Sequence, residues 1–206
     1  MWIVILDAEI ANPGDLSWGE LEQMGQVTAW PNTKPDEVAG RIGEAEAVIT
    51  NKVPITAEVI AACPNLRYLG LLSTGYNVVD IEAAKAAGIP VCNVPGYATA
   101  GVAQSTFALL LEICNQVGRH SAEVHAGRWG QTQDWSFWST SLVELAGKTM
   151  GIIGFGTIGK AVARIAKAMD MRVVAHSRTQ KEQNNGLAEY LPLDELLRES
   201  DVVSLH

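Results

Sequence analysis

The chain has 206 residues, of which 48% are hydrophobic and 18% charged, and a formal net charge of −8. This composition fits a globular chain of one large or two small domains and excludes a disordered one. The negative balance argues against a nucleic-acid or anionic-membrane surface, and no apolar run approaches a membrane span.

The opening run 2–6 is too short for a signal-peptide core and lacks a basic lead, so it reads as a first strand. Further strands are predicted at 26–30, 47–50, 68–72 and 90–92. Helical patterns lie between them at 16–24, 35–42, 56–62 and 79–87, the last stopped by Gly88. Such alternation predicts a parallel sheet covered by helices on both faces, with ligands at the carboxyl ends of its strands. Two loops at such ends stand out: Thr50-Asn51-Lys52-Val53 and Ser73-Thr74-Gly75-Tyr76-Asn77. Backbone N–H groups of the second can form a nest for a carboxylate, with Lys52 adding positive charge. On local sequence an ordinary turn comes first, with Asn77 and Asp80 near the cap of the next helix. Cys63, Cys92 and Cys114 are odd in number and widely spaced. They read as reduced thiols of a cytoplasmic protein, without a zinc pattern.

A long helical pattern runs from 99 to about 126, with Val102, Thr106, Leu109, Leu110, Ile113 and Val117 marking its apolar side. Gly127-Arg128-Trp129-Gly130 ends it, and the polar stretch 131–139 carries Trp135, Phe137 and Trp138. Those rings are either covered by a partner subunit or folded back on their own domain; both readings stay open.

The stretch 149–160 organises the chain. A buried strand leads into Gly154, Gly156 and Gly159, and an amphipathic helix follows. Gly154 allows the tight turn, Gly156 a close approach to a pyrophosphate, and Gly159 close helix–strand packing. The helix start offers free N–H groups to phosphates. At the end of the next strand, an NAD-selective site carries Asp or Glu for the ribose hydroxyls. Here that place holds His176-Ser177-Arg178-Thr179. A guanidinium and two hydroxyls suit a 2′-phosphate, which favours NADP over NAD. A helix over 193–200 and a strand over 202–205 follow. About three strands are readable after residue 148, where a whole dinucleotide domain has six.

Several motifs together resemble the D-isomer-specific 2-hydroxyacid dehydrogenases, in the glycerate dehydrogenase and hydroxypyruvate reductase branch. They are Leu72 to Asp80, Val91 to Tyr97, Val102 to Leu110, Leu145 to Gly159 and Asp201 to His206. The resemblance implies a flavodoxin-like parallel-sheet substrate domain over 1–98 and an incomplete Rossmann dinucleotide-binding domain over 99–206. It turns Ser73, Thr74 and Gly75 into the cradle of the substrate carboxylate, with Asn51 and Lys52 in the substrate pocket. Thr106 is similar to a cofactor-facing position, Thr157 and Ile158 to the pyrophosphate donors, and His206 to a residue lining the cofactor site. The 129–139 stretch resembles a dimer arm, whose Trp138 would reach the neighbour's substrate pocket in a homodimer that also uses the long helix. The family's substrate-binding Arg and its His–Glu proton-transfer pair lie downstream of the point matching His206, and no position here corresponds to them. His120, His125, His176 and His206 read as surface or structural histidines. The implied activity is hydride transfer between NAD(P)H and a short 2-keto acid. These residues are then the N-terminal portion of a longer enzyme, inactive alone. The alternative is an NAD(H)-sensing, corepressor-like binding module.

Overall fold

The computed structural model describes residues 1–178 and 186–206. They divide into two units, Met1–Tyr97 and Ala98–His206.

In the first unit the chain runs through β1 (Trp2–Ile5), α1 (Ala8–Ala11), α2 (Gly19–Glu22) and β2 (Gln26–Ala29). A 3₁₀ turn at Pro35–Glu37 leads into α3 (Val38–Ile42), then β3 (Ala47–Thr50), α4 (Ala57–Ala62), β4 (Tyr68–Leu71), α5 (Ile81–Ala86) and β5 (Val91–Cys92). The strands pair in parallel in the order β2-β1-β3-β4-β5. Central strands of such a sheet are apolar on both faces because helices cover both. Ile3, Val4, Ile5, Val48, Leu69 and Leu71 are accordingly buried. Thr56 caps α4 by accepting from the Val59 N–H (3.4 Å), and Asp80 caps α5 by accepting from the Ala83 N–H (2.9 Å). The helix predicted at 16–24 shrinks to α2. The Asn12 Oδ1 accepts from the N–H groups of Gly14 (3.0 Å) and Leu16 (3.1 Å), and its Nδ2 donates to the Leu16 carbonyl (2.7 Å). These bonds divert backbone groups that a helix would use.

The second unit contains α6 (Thr99–Asn115), α7 (Val117–His125), α8 (Arg128–Gln131), β6 (Thr149–Ile153) and α9 (Thr157–Ala168). It continues with β7 (Arg172–His176), β8 (Glu189–Tyr190), α10 (Leu193–Glu199) and β9 (Val202–Leu205). The long helix is broken: Gln116 is left-handed at φ 48°, and the Glu112 carboxylate accepts from the Gly118 N–H at 3.2 Å, capping the second segment. Its expected apolar side is also corrected. Leu110 is buried as expected, but with Ala103, Phe107 and Cys114, whereas Val102, Leu109, Ile113 and Val117 are exposed. Both faces are apolar, so periodicity alone could not choose between them. The buried face packs in one core with Ala161, Val162 and Ala166 of α9 and with Met150 and Ile152 of β6.

The second sheet is parallel in the order β8-β7-β6-β9, with β8 an addition to the three strands read from the sequence. β7 lies on one side of β6 and β9 on the other, so the strand order reverses at β6. Ligands of open α/β sheets bind outside the carboxyl ends of strands at such a reversal. Among the described residues no helix is long and apolar enough to cross a membrane.

Candidate functional site

The three strand ends at that reversal are tied together by the backbone. The Gly154 N–H donates to the His176 carbonyl and the His206 N–H to the Ile153 carbonyl, both at 2.8 Å. Gly154 has φ +95°, and a Cβ there would stand 1.8 Å from the His206 carbonyl oxygen, so only glycine fits. Gly159 is constrained likewise: its Cβ would lie 2.2 Å from the Gly154 carbonyl oxygen and 3.1 Å from Ile152 Cγ2. Gly156 differs, because a Cβ there meets nothing within 4 Å. Its lack of a side chain leaves open space beside the backbone. The first helical bond of α9 runs from the Lys160 N–H to the Gly156 carbonyl (3.0 Å). The N–H groups of Thr157, Ile158 and Gly159 therefore precede the helical ladder and carry its positive dipole end.

A cavity of about 710 Å³ opens at this point. Gly154, Phe155 and Gly156 line one part of it, and His176, Ser177 and Arg178 another; Leu193, Leu205 and His206 also border it. No carboxylate is among the described residues that line it. The His176 Nδ1 lies 3.2 Å from the Leu191 carbonyl, and the His206 Nε2 lies 2.8 Å from Ser204 Oγ. Burial pushes the His206 imidazole below its ordinary pKa, favouring the neutral ring. Arg178 is exposed and enters no salt bridge among the described residues.

In the first unit, adjacent strands likewise bring loops together at their carboxyl ends. Thr50 and Leu71 are in register on β3 and β4, and the Leu72 N–H continues the ladder to the Thr50 carbonyl (2.9 Å). The buried Ser73 donates its hydroxyl to the Gly75 carbonyl (2.7 Å). Thr74 Oγ1 donates to the Val94 carbonyl (3.1 Å), Asn93 Nδ2 to the Thr74 carbonyl (2.7 Å), and the Val94 N–H to the Ser73 carbonyl (3.0 Å). These bonds use the carbonyls and hydroxyls of the turn. The N–H groups of Thr74, Gly75 and Tyr76 make no hydrogen bond among the described residues. The loop after β3 is pinned by the buried Asp7, which accepts from the N–H groups of Asn51 (2.8 Å) and Lys52 (2.6 Å).

Residues 107–206 match the family model described as the NAD binding domain of D-isomer specific 2-hydroxyacid dehydrogenases. A hydroxypyruvate reductase of Blautia hydrogenotrophica is 50% identical over the whole of this chain, which spans 65% of that relative. The chain is thus similar along its whole length to the D-isomer-specific 2-hydroxyacid dehydrogenases, whose NAD binding domain its residues 107–206 match. A glyoxylate reductase of Aeropyrum pernix is 36% identical over 90% of the chain and 58% of its own length. The crystal structure of a Thermus thermophilus protein superposes with a TM-score of 0.82 at 33% identity, over all of this chain and 64% of that one. The chain thus spans less than two thirds of the relatives it matches.

Within the chain the predicted residues fall in separate places. Gly154, Gly156, Ser177, Arg178 and His206 line the second unit's cavity, with Thr157, Ile158 and Gly159 on the adjoining helix start. Thr179 lies outside the described residues. Thr106 does not line that cavity; its hydroxyl donates to the Val102 carbonyl one helical turn back (2.9 Å). Asn51, Lys52, Ser73, Thr74 and Gly75 sit on neighbouring strand ends of the first unit. Trp138 is 70% exposed and Trp135 97%. Phe137 instead folds back: its ring meets Trp129 edge-on at 5.9 Å, and the Arg128 guanidinium lies over it at 4.8 Å. Glu123 anchors this stretch, paired with Arg128 (2.9 Å) and accepting from the Ser139 hydroxyl. Ser139 and then the Arg119 and Arg128 guanidiniums hold the Glu123 carboxyl below its usual range.

The residues that sequence reasoning missed either act across a long stretch of chain or carry no polar mark. Asp7 bonds to residues more than forty positions away, and its one local signal was a carboxylate directly after the apolar run 2–6. Phe155 and Leu193 border the cavity without any polar mark. Among the described residues the second unit's lining fits a dinucleotide: open space at Gly156, helix-start N–H groups ahead of the helical ladder, and a guanidinium with no carboxylate opposing it.

Proposed function

We propose that this chain supplies the substrate-carboxylate and dinucleotide cradles of an oxidoreductase. The reaction interconverts a short 2-keto acid and its D-2-hydroxy acid, hydroxypyruvate and glycerate or glyoxylate and glycolate. The observation that carries this reading is the glycine turn at the strand reversal, open at Gly156 and bordered by Ser177 and Arg178. The names of the relatives select the substrate class. A bound nicotinamide cofactor would supply the hydride. The protein supplies binding and position. Thr157 and Ile158 would donate backbone N–H groups to a pyrophosphate, with Gly154, Gly156 and Gly159 permitting the approach. Arg178, with Ser177, would grip a 2′-phosphate through charge-assisted hydrogen bonds, which favours NADP. Thr74, Gly75 and Tyr76 would donate backbone N–H groups to the substrate carboxylate, with Asn51 and Lys52 alongside. The first unit is then the substrate domain and the second the cofactor domain. The exposed apolar stripe of α6 and the rings of Trp135 and Trp138 would be covered by a second copy of the chain in a cytoplasmic homodimer.

Isothermal titration of the chain with NADPH and NADH tests the cofactor cradle. Saturable binding, tighter for NADPH, is the expected result. An absence of binding to both would end the reading. No Arg and His–Glu set of the kind the resemblance requires is available among these residues, so hydroxypyruvate turnover by the 206 residues alone should be negligible.

A further inference from the structure

Asp7 is 3% exposed, between the ends of β1 and β3, and no salt bridge among the described residues includes it. A buried carboxylate without a cation is costly unless hydrogen bonds fill its oxygens. Here they do. Oδ1 accepts from the Thr50 hydroxyl (3.1 Å) and the Asn51 N–H (2.8 Å). Oδ2 accepts from the Lys52 N–H (2.6 Å) and shares that of Asn51 (3.0 Å). Thr50 Oγ1 in turn accepts from the Val53 N–H (3.2 Å), so one side chain at the end of β1 orders the whole 50–53 loop.

The consequence is a division of labour between two neighbouring strand ends. After β3 the backbone donors are consumed by the protein's own carboxylate and are unavailable to an external one. The side chains of Asn51 and Lys52 remain without a hydrogen bond or ion pair among the described residues, and Lys52 is exposed. After β4 the reverse holds: side chains are tied down and the N–H groups of Thr74, Gly75 and Tyr76 are left over. A 2-keto acid carboxylate would then be met by backbone donors from one loop and by a side-chain cation from the other.

We propose that Asp7 is a positioning residue for carboxylate recognition, holding the 50–53 loop so that the Lys52 ammonium stays beside the 73–77 turn. This rests on reading that turn as the substrate-carboxylate cradle. A purely structural Asp7 would lower stability without acting through Lys52, and a double-mutant cycle separates the two roles. The readout is the dissociation constant of hydroxypyruvate for the 206-residue chain, followed at the Gly75 amide by ¹H–¹⁵N NMR. Lys52→Met is expected to weaken binding about tenfold, the scale of one charge-assisted hydrogen bond. Asp7→Asn should weaken it comparably, and in the Lys52→Met background should cost nothing more. Multiplying losses, or unchanged affinity in folded Asp7→Asn, would overturn the inference while leaving the cradle intact. No saturable shift of Gly75 in the unaltered chain would overturn the cradle reading and this inference together. If Asp7→Asn does not fold, Thr50→Val takes its place in the cycle, with a loss of about threefold expected by the same reasoning and the same non-additivity required.

Discussion

The turn after β6 and the turn after β4 occupy equivalent places, each at the carboxyl end of a buried parallel strand. They keep their N–H groups free by different means. After β6 the constraint is steric: for Gly159 it comes from within the turn, and for Gly154 from the end of β9. Gly154 and Gly159 leave no room for a Cβ, at 1.8 and 2.2 Å from carbonyl oxygens, and the helix geometry leaves the next N–H groups unclaimed. After β4 the constraint is polar and distant. Side chains of Ser73, Thr74 and Asn93 use up the competing acceptors and donors, and Asp7 orders the loop beside it. A cradle made of glycines fails abruptly when a methyl group is added. One made of hydrogen bonds should degrade in steps.

Substitutions can break or sharpen that contrast. The largest effect is expected for Gly154→Ala, which combines a clash with backbone and a left-handed φ. A loss of about 4 kcal/mol in urea unfolding, or failure to fold, is predicted. Arg178→Ala should leave stability unchanged and weaken NADPH about 30-fold, with NADH affected less than threefold, since in the proposed cradle only the 2′-phosphate would meet the guanidinium. Equal losses for both cofactors would remove Arg178 from the argument. Asp7→Asn leaves buried donors partly unsatisfied and should cost about 2 kcal/mol in the same unfolding measurement. Gly156→Ala has open space and an ordinary φ, so stability should change by less than about 1 kcal/mol, yet NADPH titration should show weaker binding, because the methyl group occupies the approach. Parallel behaviour of Gly154→Ala and Gly156→Ala would erase the distinction between packing glycine and ligand glycine. The smallest stability effect belongs to Trp135→Ser, within about 0.5 kcal/mol for so exposed a ring. Analytical ultracentrifugation should nonetheless show weaker self-association if a second copy covers it.

Some of this was legible because its cause is local. Strand–helix alternation marked the first parallel sheet, and the spacing of 154, 156 and 159 after a buried strand marked the turn of the second. The α6 surface was misread for a physical reason: Val102, Leu109 and Ile113 form as good a helical stripe as Ala103, Phe107 and Leu110, and only the position of α9 chooses between them. The break at Gln116 and the shortening of the 16–24 helix to α2 were also hidden, because single side chains, Glu112 and Asn12, capture backbone groups that periodicity assigns to a helix.

By itself the amino-acid sequence determined the fold class, the place of the glycine turn and the basic, hydroxyl-bearing end of β7, since hydrophobic patterning, glycine spacing and side-chain charge are all written in a few neighbouring residues. Only the tertiary structure decided which face of α6 is covered, that Thr106 turns to its own helix, and that Asp7 governs a loop forty residues away. Those outcomes depend on which elements pack together, and a buried hydrogen bond is chosen by proximity in space, to which distance along the chain is no guide.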